Sequence, residues 1–151
     1  MEFFITPVEP QDKSILLALM AQVISTSVTQ DVDLQKSYID NVTQNLHWWE
    51  NHPHLGCHLK AVSHQEIVGV VLVKKFWNLC SLFVAPAYHR QGMGRALVIA
   101  AVEDCRARSD EKAIFLNAAP NAISFYRAIG FRPRDSKQPQ PPGVEPMQLV
   151  L

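Results

Sequence analysis

Apolar residues recur along this chain at two distinct spacings, and the change from one to the other divides it into elements. From residue 12 onward Ile15, Leu16, Leu19, Met20, Val23 and Ile24 fall at helical intervals, which predicts a helix with one buried face. Asp12 stands just ahead of them, where its carboxylate is placed to cap the first turn. A second helical pattern runs from about Asp33 through Tyr38, Val42 and Leu46 to Trp48 and Trp49, and stops before His52, Pro53 and His54. Ahead of both, Phe3, Phe4 and Ile5 read as a short strand that Pro7 and Pro10 break.

After residue 56 the period shortens to two. Residues 57–63 (CHLKAVS) and the β-branched run IVGVVLV from Ile67 predict an antiparallel hairpin turned at His64, Gln65 and Glu66. Residues 77–84 (WNLCSLFV) form a more buried strand that Ala85 and Pro86 end. RQGMGRALVIAAVEDCRARS, residues 90–109, then opens a long amphipathic helix with two glycines one residue apart. Residues 113–118 (AIFLNA) predict a buried strand, and residues 120–130 a short helix with Pro120 in its first turn and Gly130 as its left-handed end. The tail from Pro133 to Pro146 holds five of the ten prolines and is expected to be irregular before a last strand, MQLVL. The order is that of a mixed α+β or α/β fold, with residues 1–151 as one domain.

Composition narrows the setting. With 151 residues and 48% apolar content the chain can bury a sizeable core. Fourteen basic residues balance fourteen acidic ones, so no overall basic field exists to hold nucleic acid, and a small or locally recognised partner is expected. Cys57, Cys80 and Cys105 are odd in number and lack metal-ligand spacing, which points to reduced thiols, no metal and a cytoplasmic setting. The first residues lack the order of a signal peptide, and no apolar run approaches membrane-spanning length, so a soluble protein off the membrane is expected.

The chemistry sits at the two glycines. The start of a helix exposes unpaired backbone N–H groups and a partial positive charge, which together favour phosphate. Gly92 and Gly94 remove side chains where an anion would approach, and Arg90 and Arg95 add charge nearby. A pyrophosphate suits such a loop, although a bare G-x-G also marks an ordinary strand-to-helix turn. The third glycine of a dinucleotide site is missing, and no lysine follows as it would in an ATP-hydrolysing loop.

The surrounding sequence, LFVAPAYHRQGMGRALV followed by FLNAAPNAISFYRAIGFRP, resembles the GNAT superfamily of acyl-CoA-dependent N-acyltransferases. The likeness covers residues 82–133: the turn Val84-Ala85-Pro86, the aromatic Tyr88, the loop from His89 to Gly94, then Asn117, Asn121, Phe125-Tyr126 and Gly130-Phe131. It implies a GNAT-like mixed sheet whose two central strands splay apart around the acyl-pantetheine arm, with helices 12–50 forming one wall of the acceptor site. It implies acetyl-CoA as co-substrate and an amine as acceptor. Leu82, Phe83 and Val84, the loop residues His89, Arg90, Gln91, Gly92, Met93, Gly94, Arg95 and Ala96, and Asn117, Asn121, Phe125 and Tyr126 would bind the coenzyme, and Tyr126 would act as the catalytic acid near the sulfur. Relatives are often dimers, so a homodimer is a further expectation.

An amine attacks a thioester only when neutral, whereas a lysine-type amine of pKa about 10.4 is almost wholly protonated at pH 7. A proton acceptor, a donor for the oxyanion and an acid for the departing thiolate are therefore needed. Many relatives carry a glutamate on the strand before the loop, yet here residues 78–83 contain neither Asp nor Glu. A water held by backbone or by Ser81, or a histidine such as His54 or His58, is the remaining candidate. Cys80 reads as a buried, inert thiol because its strand is apolar. His89 replaces the usual Gln or Arg, and Trp48, Trp49, His52 and His54 form a conspicuous cluster on the expected acceptor side. The missing glutamate keeps a second reading open, an acyl-CoA-binding sensory module without turnover.

Overall fold

The computed structural model describes residues 2–151. It contains β1 (Phe4–Pro7), α1 (Lys13–Val23), α2 (Val32–Asn51), β2 (Gly56–Ser63), β3 (Glu66–Lys74), β4 (Asn78–Val84), α3 (Met93–Arg108), β5 (Ala113–Ala118), α4 (Ile123–Ile129), β6 (Arg132–Pro133) and β7 (Glu145–Val150). The strands form one mixed sheet in the order β1-β2-β3-β4-β5-β7-β6. This is the mixed α/β architecture the two spacings predict.

Strand alternation sends side chains to two separate cores. Val68, Val71 and Val73 of β3 pack with Leu97, Val98, Ala101 and Val102 of α3, whereas Val70 and Leu72 pack with Leu16 and Met20 of α1 and Leu46 and Trp49 of α2. Helices therefore cover both faces, which is why β3 reads as a nearly continuous apolar run. The β2–β3 turn is tighter than expected: Ser63 pairs with Glu66, leaving His64 and Gln65 alone in the turn, both at positive φ (50° and 67°).

The decisive feature is in the middle of the sheet. Strands β4 and β5 run parallel but pair only at Asn78↔Phe115, with the Phe115 amide also donating to the Trp77 carbonyl at 2.6 Å. Beyond that point they diverge, although β5 stays paired with β7 along its whole length. The register of β4 against β3 slips as well, with Leu72 opposite Ser81 and Val73 opposite Leu79, so that Cys80 has no partner residue.

Three local expectations are corrected. Asp12 does not cap α1; its carboxylate reaches back to accept from the Glu9 amide at 2.8 Å and from Lys60 Nζ at 2.6 Å. Helix α1 runs on into a wide turn, Ile24–Val28, with the hydroxyl of Thr26 donating to the Gln22 carbonyl at 2.7 Å. Within the proline-rich tail, Arg132 and Pro133 pair with Gln148 and Met147, adding a two-residue edge strand to an otherwise irregular stretch.

Candidate active site

The loop between β4 and α3 satisfies its backbone groups in its first half and leaves its amides open in its second. The carbonyls of Ala85 and Pro86 accept from the amides of Tyr88 and His89, at 2.8 and 3.2 Å. Two side chains occupy further carbonyls: His89 Nε2 donates to Val84 O at 2.7 Å, and Gln91 Nε2 to Ala87 O at 3.2 Å. Gly92 O takes the Ala96 amide at 3.0 Å. Among the described residues, no acceptor meets the amides of Arg90, Gln91, Gly92, Met93, Gly94 or Arg95, and no side chain caps α3.

Arg90 (φ 63°) and Gly92 (φ 82°) stand at positive φ, and alternation of left-handed residues with others is the kind of backbone that turns successive N–H groups towards an anion. A Cβ at Gly92 would meet nothing within 4 Å, so this glycine faces open space in front of the helix end. Arg90 and Arg95 are exposed there, whereas the Met93 side chain is buried in the α3 core and offers the site its backbone alone. The side chains of His89 and Gln91, two of the residues expected to bind the coenzyme, brace the turn in this structure.

Gly94 serves close approach. A Cβ there would lie 3.4 Å from Phe125 Cζ and 3.8 Å from Val84 Cγ2, so the end of β4, the first turn of α3 and helix α4 meet at this glycine. Phe125 in turn packs edge-on against Tyr126, with ring centroids 5.1 Å apart, and Tyr126 against Phe131 at 5.6 Å. Tyr126 is buried, and burial pushes its pKa up to about 12, so the hydroxyl keeps its proton throughout the neutral range.

The remaining predicted residues line the diverging strands. Leu82, Phe83 and Val84 are half-buried on β4 past its single contact with β5; Leu82 and Val84 join the core under α3, and Phe83 the core under α1 and α2. Asn117 is exposed on the half of β5 that has parted from β4, and its Oδ1 accepts from Arg134 Nη2 at 3.4 Å, a partner that the sequence does not announce. Asn121 is exposed in the turn Pro120–Ala122.

Other candidates lie elsewhere. Trp48 stacks on His52 at 5.0 Å beneath Lys74 and lies 3.4 Å from the Cβ position of Gly56, at the level of Asn78 where β4 and β5 are still joined. Strand geometry places that level about 20 Å from the glycine loop, so this cluster is not at the open mouth. Trp49 is core and packs edge-on to His58 at 4.7 Å. His58 is buried, its Nδ1 has no hydrogen-bond partner among the described residues, and burial pushes its pKa down to about 4. Such a group is sealed from an acceptor amine. The Cys80 thiol points at the Leu72 carbonyl at 3.7 Å, and burial raises its pKa, which removes it as a nucleophile at neutral pH.

Among the described residues no His, Cys, Asp and Glu side chains gather as metal ligands, and no helix is long and apolar enough to cross a membrane. Residues 18–146 match the family model described as the acetyltransferase (GNAT) domain. The fold is shared with the PaiA N-acetyltransferase of Thermoplasma acidophilum, solved in complex with coenzyme A, at a TM-score of 0.82 and 16% identity over 100% of both chains. It is shared also with a GCN5-related N-acetyltransferase from Rhodopseudomonas palustris, at 0.80 and 18% over 100% of this chain and 97% of that one. A ribosomal-protein-alanine N-acetyltransferase from Brucella melitensis aligns at 0.70 and 19% over 98% and 99% of the two chains. At such identities the likeness establishes the common fold. No curated protein matches the sequence.

Proposed function

The chain belongs to the GNAT acetyltransferase family, and from that premise we propose that it moves an acetyl group from acetyl-CoA directly to a primary amine held in the same complex. The observation that carries this reading is the row of six partnerless amides, from Arg90 to Arg95, beside the gap between β4 and β5. The coenzyme's pyrophosphate would accept from these amides while Arg90 and Arg95 supply charge. Its pantetheine arm would lie in the gap, between Leu82, Val84 and the Asn117 end of β5, with Asn121 and Phe125 along its path.

The rest of the work follows from what the diverging strands expose. The edge of β4 that faces the gap offers unpaired N–H groups, placed to meet the carbonyl oxygen as it gains charge. Tyr126, which keeps its proton up to about pH 12, would donate a hydrogen bond to the sulfur as it departs. A thiolate of ordinary pKa about 8.5 is too weak a base to hold that proton, so the proton released by the amine ends on the thiol or in water. Helix α1 ends near the loop that follows β4, where Gln22 shares a groove with Ala87 and Tyr88, so the connection from Ile24 to Asp31 would form an acceptor wall on that side. With no carboxylate on β4 and His58 sealed in the core, the amine's proton leaves through water in the mouth of the gap.

The absent β4 carboxylate also favours a second reading, in which the chain binds acyl-CoA without transferring the acyl group. Release of free thiol from acetyl-CoA in the presence of a panel of primary amines separates the two. Amine-dependent release with matching mass gain on the amine supports transfer; binding without release on any amine supports the sensor.

A further inference from the structure

A second concavity, of about 1010 Å³, lies between α1 and the β1–β3 end of the sheet. It is separate from the gap between β4 and β5. Its long wall is Asp12 and α1 as far as Gln22, about 15 Å in length. The facing wall carries Val62, Ile67 and Val68, and the end wall is the turn at Ala85, Ala87 and Tyr88. The mechanism above uses only its end at Gln22, Ala87 and Tyr88, not the interior around Asp12 and Lys60.

One feature of its lining is chemically specific. Asp12 and Lys60 form an ion pair at 2.6 Å with side chains only 8% and 11% exposed. The carboxylate accepts from Lys60 and from the Glu9 amide through the same oxygen, Oδ2. Asp12 Oδ1 and the other hydrogens of the Lys60 ammonium have no protein partner among the described residues, and both residues line the concavity. The site therefore presents one anionic acceptor and one cationic donor side by side, with apolar walls extending away from them.

That arrangement sets the ligand. A net anion or net cation would face one like charge in a poorly solvated place, whereas a ligand bearing both charges in adjacent positions meets each with its opposite. We propose that this groove binds a free α-amino acid with a large apolar side chain, its carboxylate on Lys60, its ammonium on Asp12 Oδ1, and its side chain against Ile15, Leu19 and Val62. The closed ring of four alternating charges is neutral, and the side chain removes apolar surface from water. The assignment stands apart from the acyl-transfer reading, since no coenzyme is needed to form the site.

The test is an amide NMR titration of the full chain with L-phenylalanine, with 2-phenylethylamine and 3-phenylpropionate as probes that each lack one charge. The expected result is saturable shifts at Ala18, Lys60 and Val62 with L-phenylalanine, and apparent affinity at least about tenfold weaker for either probe. Ala18→Trp, which fills the groove from an exposed helix position and leaves the ion pair intact, should abolish those shifts while any thermal response to acetyl-CoA is unchanged. No saturable shift, equal affinity for a singly charged probe, or binding that survives Ala18→Trp would overturn the assignment.

Discussion

At the scale of single residues, the side chains that hold the glycine loop differ from those left exposed at its mouth. His89 and Gln91 occupy backbone carbonyls, and the amides from Arg90 to Arg95, left without an acceptor among the described residues, are the proposed phosphate donors. The sequence carried the loop's location through its two glycines, but it carried no signal for which polar side chains fold back on the turn. Tyr126 shows the opposite case: the motif marks the residue, and burial explains why its proton stays in place throughout the neutral range. Tyr126→Phe keeps the ring among Phe125 and Phe131 while removing the hydroxyl proposed to meet the departing sulfur. Steady-state kinetics should show kcat lowered about 100-fold with KM for acetyl-CoA nearly unchanged; a variant with unaltered kcat would remove Tyr126 from that role.

At the scale of elements, periodicity located the helices and strands because each has one face in a core. It failed where partners are distant in sequence. Asp12 was read as a helix cap because it precedes an apolar helical run, yet Lys60, forty-eight positions away, holds it. Residues 132 and 133 form a strand only because β7 arrives beside them, and nothing in a two-residue stretch can announce that. The β2–β3 turn is a further instance, with His64 and Gln65 both left-handed where Asn and Gly are the residues that tolerate it. Replacing His64 with Asn and Gln65 with Gly should raise the free energy of unfolding by about 1 kcal/mol, read as a higher urea midpoint at constant slope. A lower midpoint would show that these side chains hold the turn by contacts beyond its backbone.

For the whole molecule, the divergence of β4 from β5 joins fold to function, and it was expected only through family resemblance. No property of residues 78–84 or 113–118 alone says that their strands touch at one end and part at the other. The same sheet creates an acid sensitivity. His58 titrates near 6.5 in the unfolded chain but is pushed down to about 4 by burial in the fold. Its depressed folded pKa leaves stability intact above pH 6.5. As pH falls from there towards 4, the unfolded chain takes up a proton that the fold refuses. At about 1.4 kcal/mol per pH unit, roughly 3 kcal/mol is lost across that window. Asp12 acts in the same direction only at lower pH; burial works to raise its carboxyl, but the Lys60 hydrogen bond and charge and the Glu9 amide bring it below its usual value. Urea unfolding between pH 7.5 and 4.5 should therefore show a steep loss in the natural chain and a flattened one in His58→Phe. Parallel profiles would place the acid-labile group elsewhere.

The central claim is that the free amides in front of α3 receive the pyrophosphate of an acyl-CoA, and thermal unfolding with and without acetyl-CoA tests it most directly. At about 100 times its dissociation constant the ligand should add roughly 2.7 kcal/mol and raise the midpoint by about 5–10 °C. Gly92→Ala puts a side chain into the open space before the helix end and strains a backbone at φ 82°; its response at the same ligand concentration should largely disappear. A midpoint that does not move in the natural chain, or a response that Gly92→Ala leaves intact, would contradict the account.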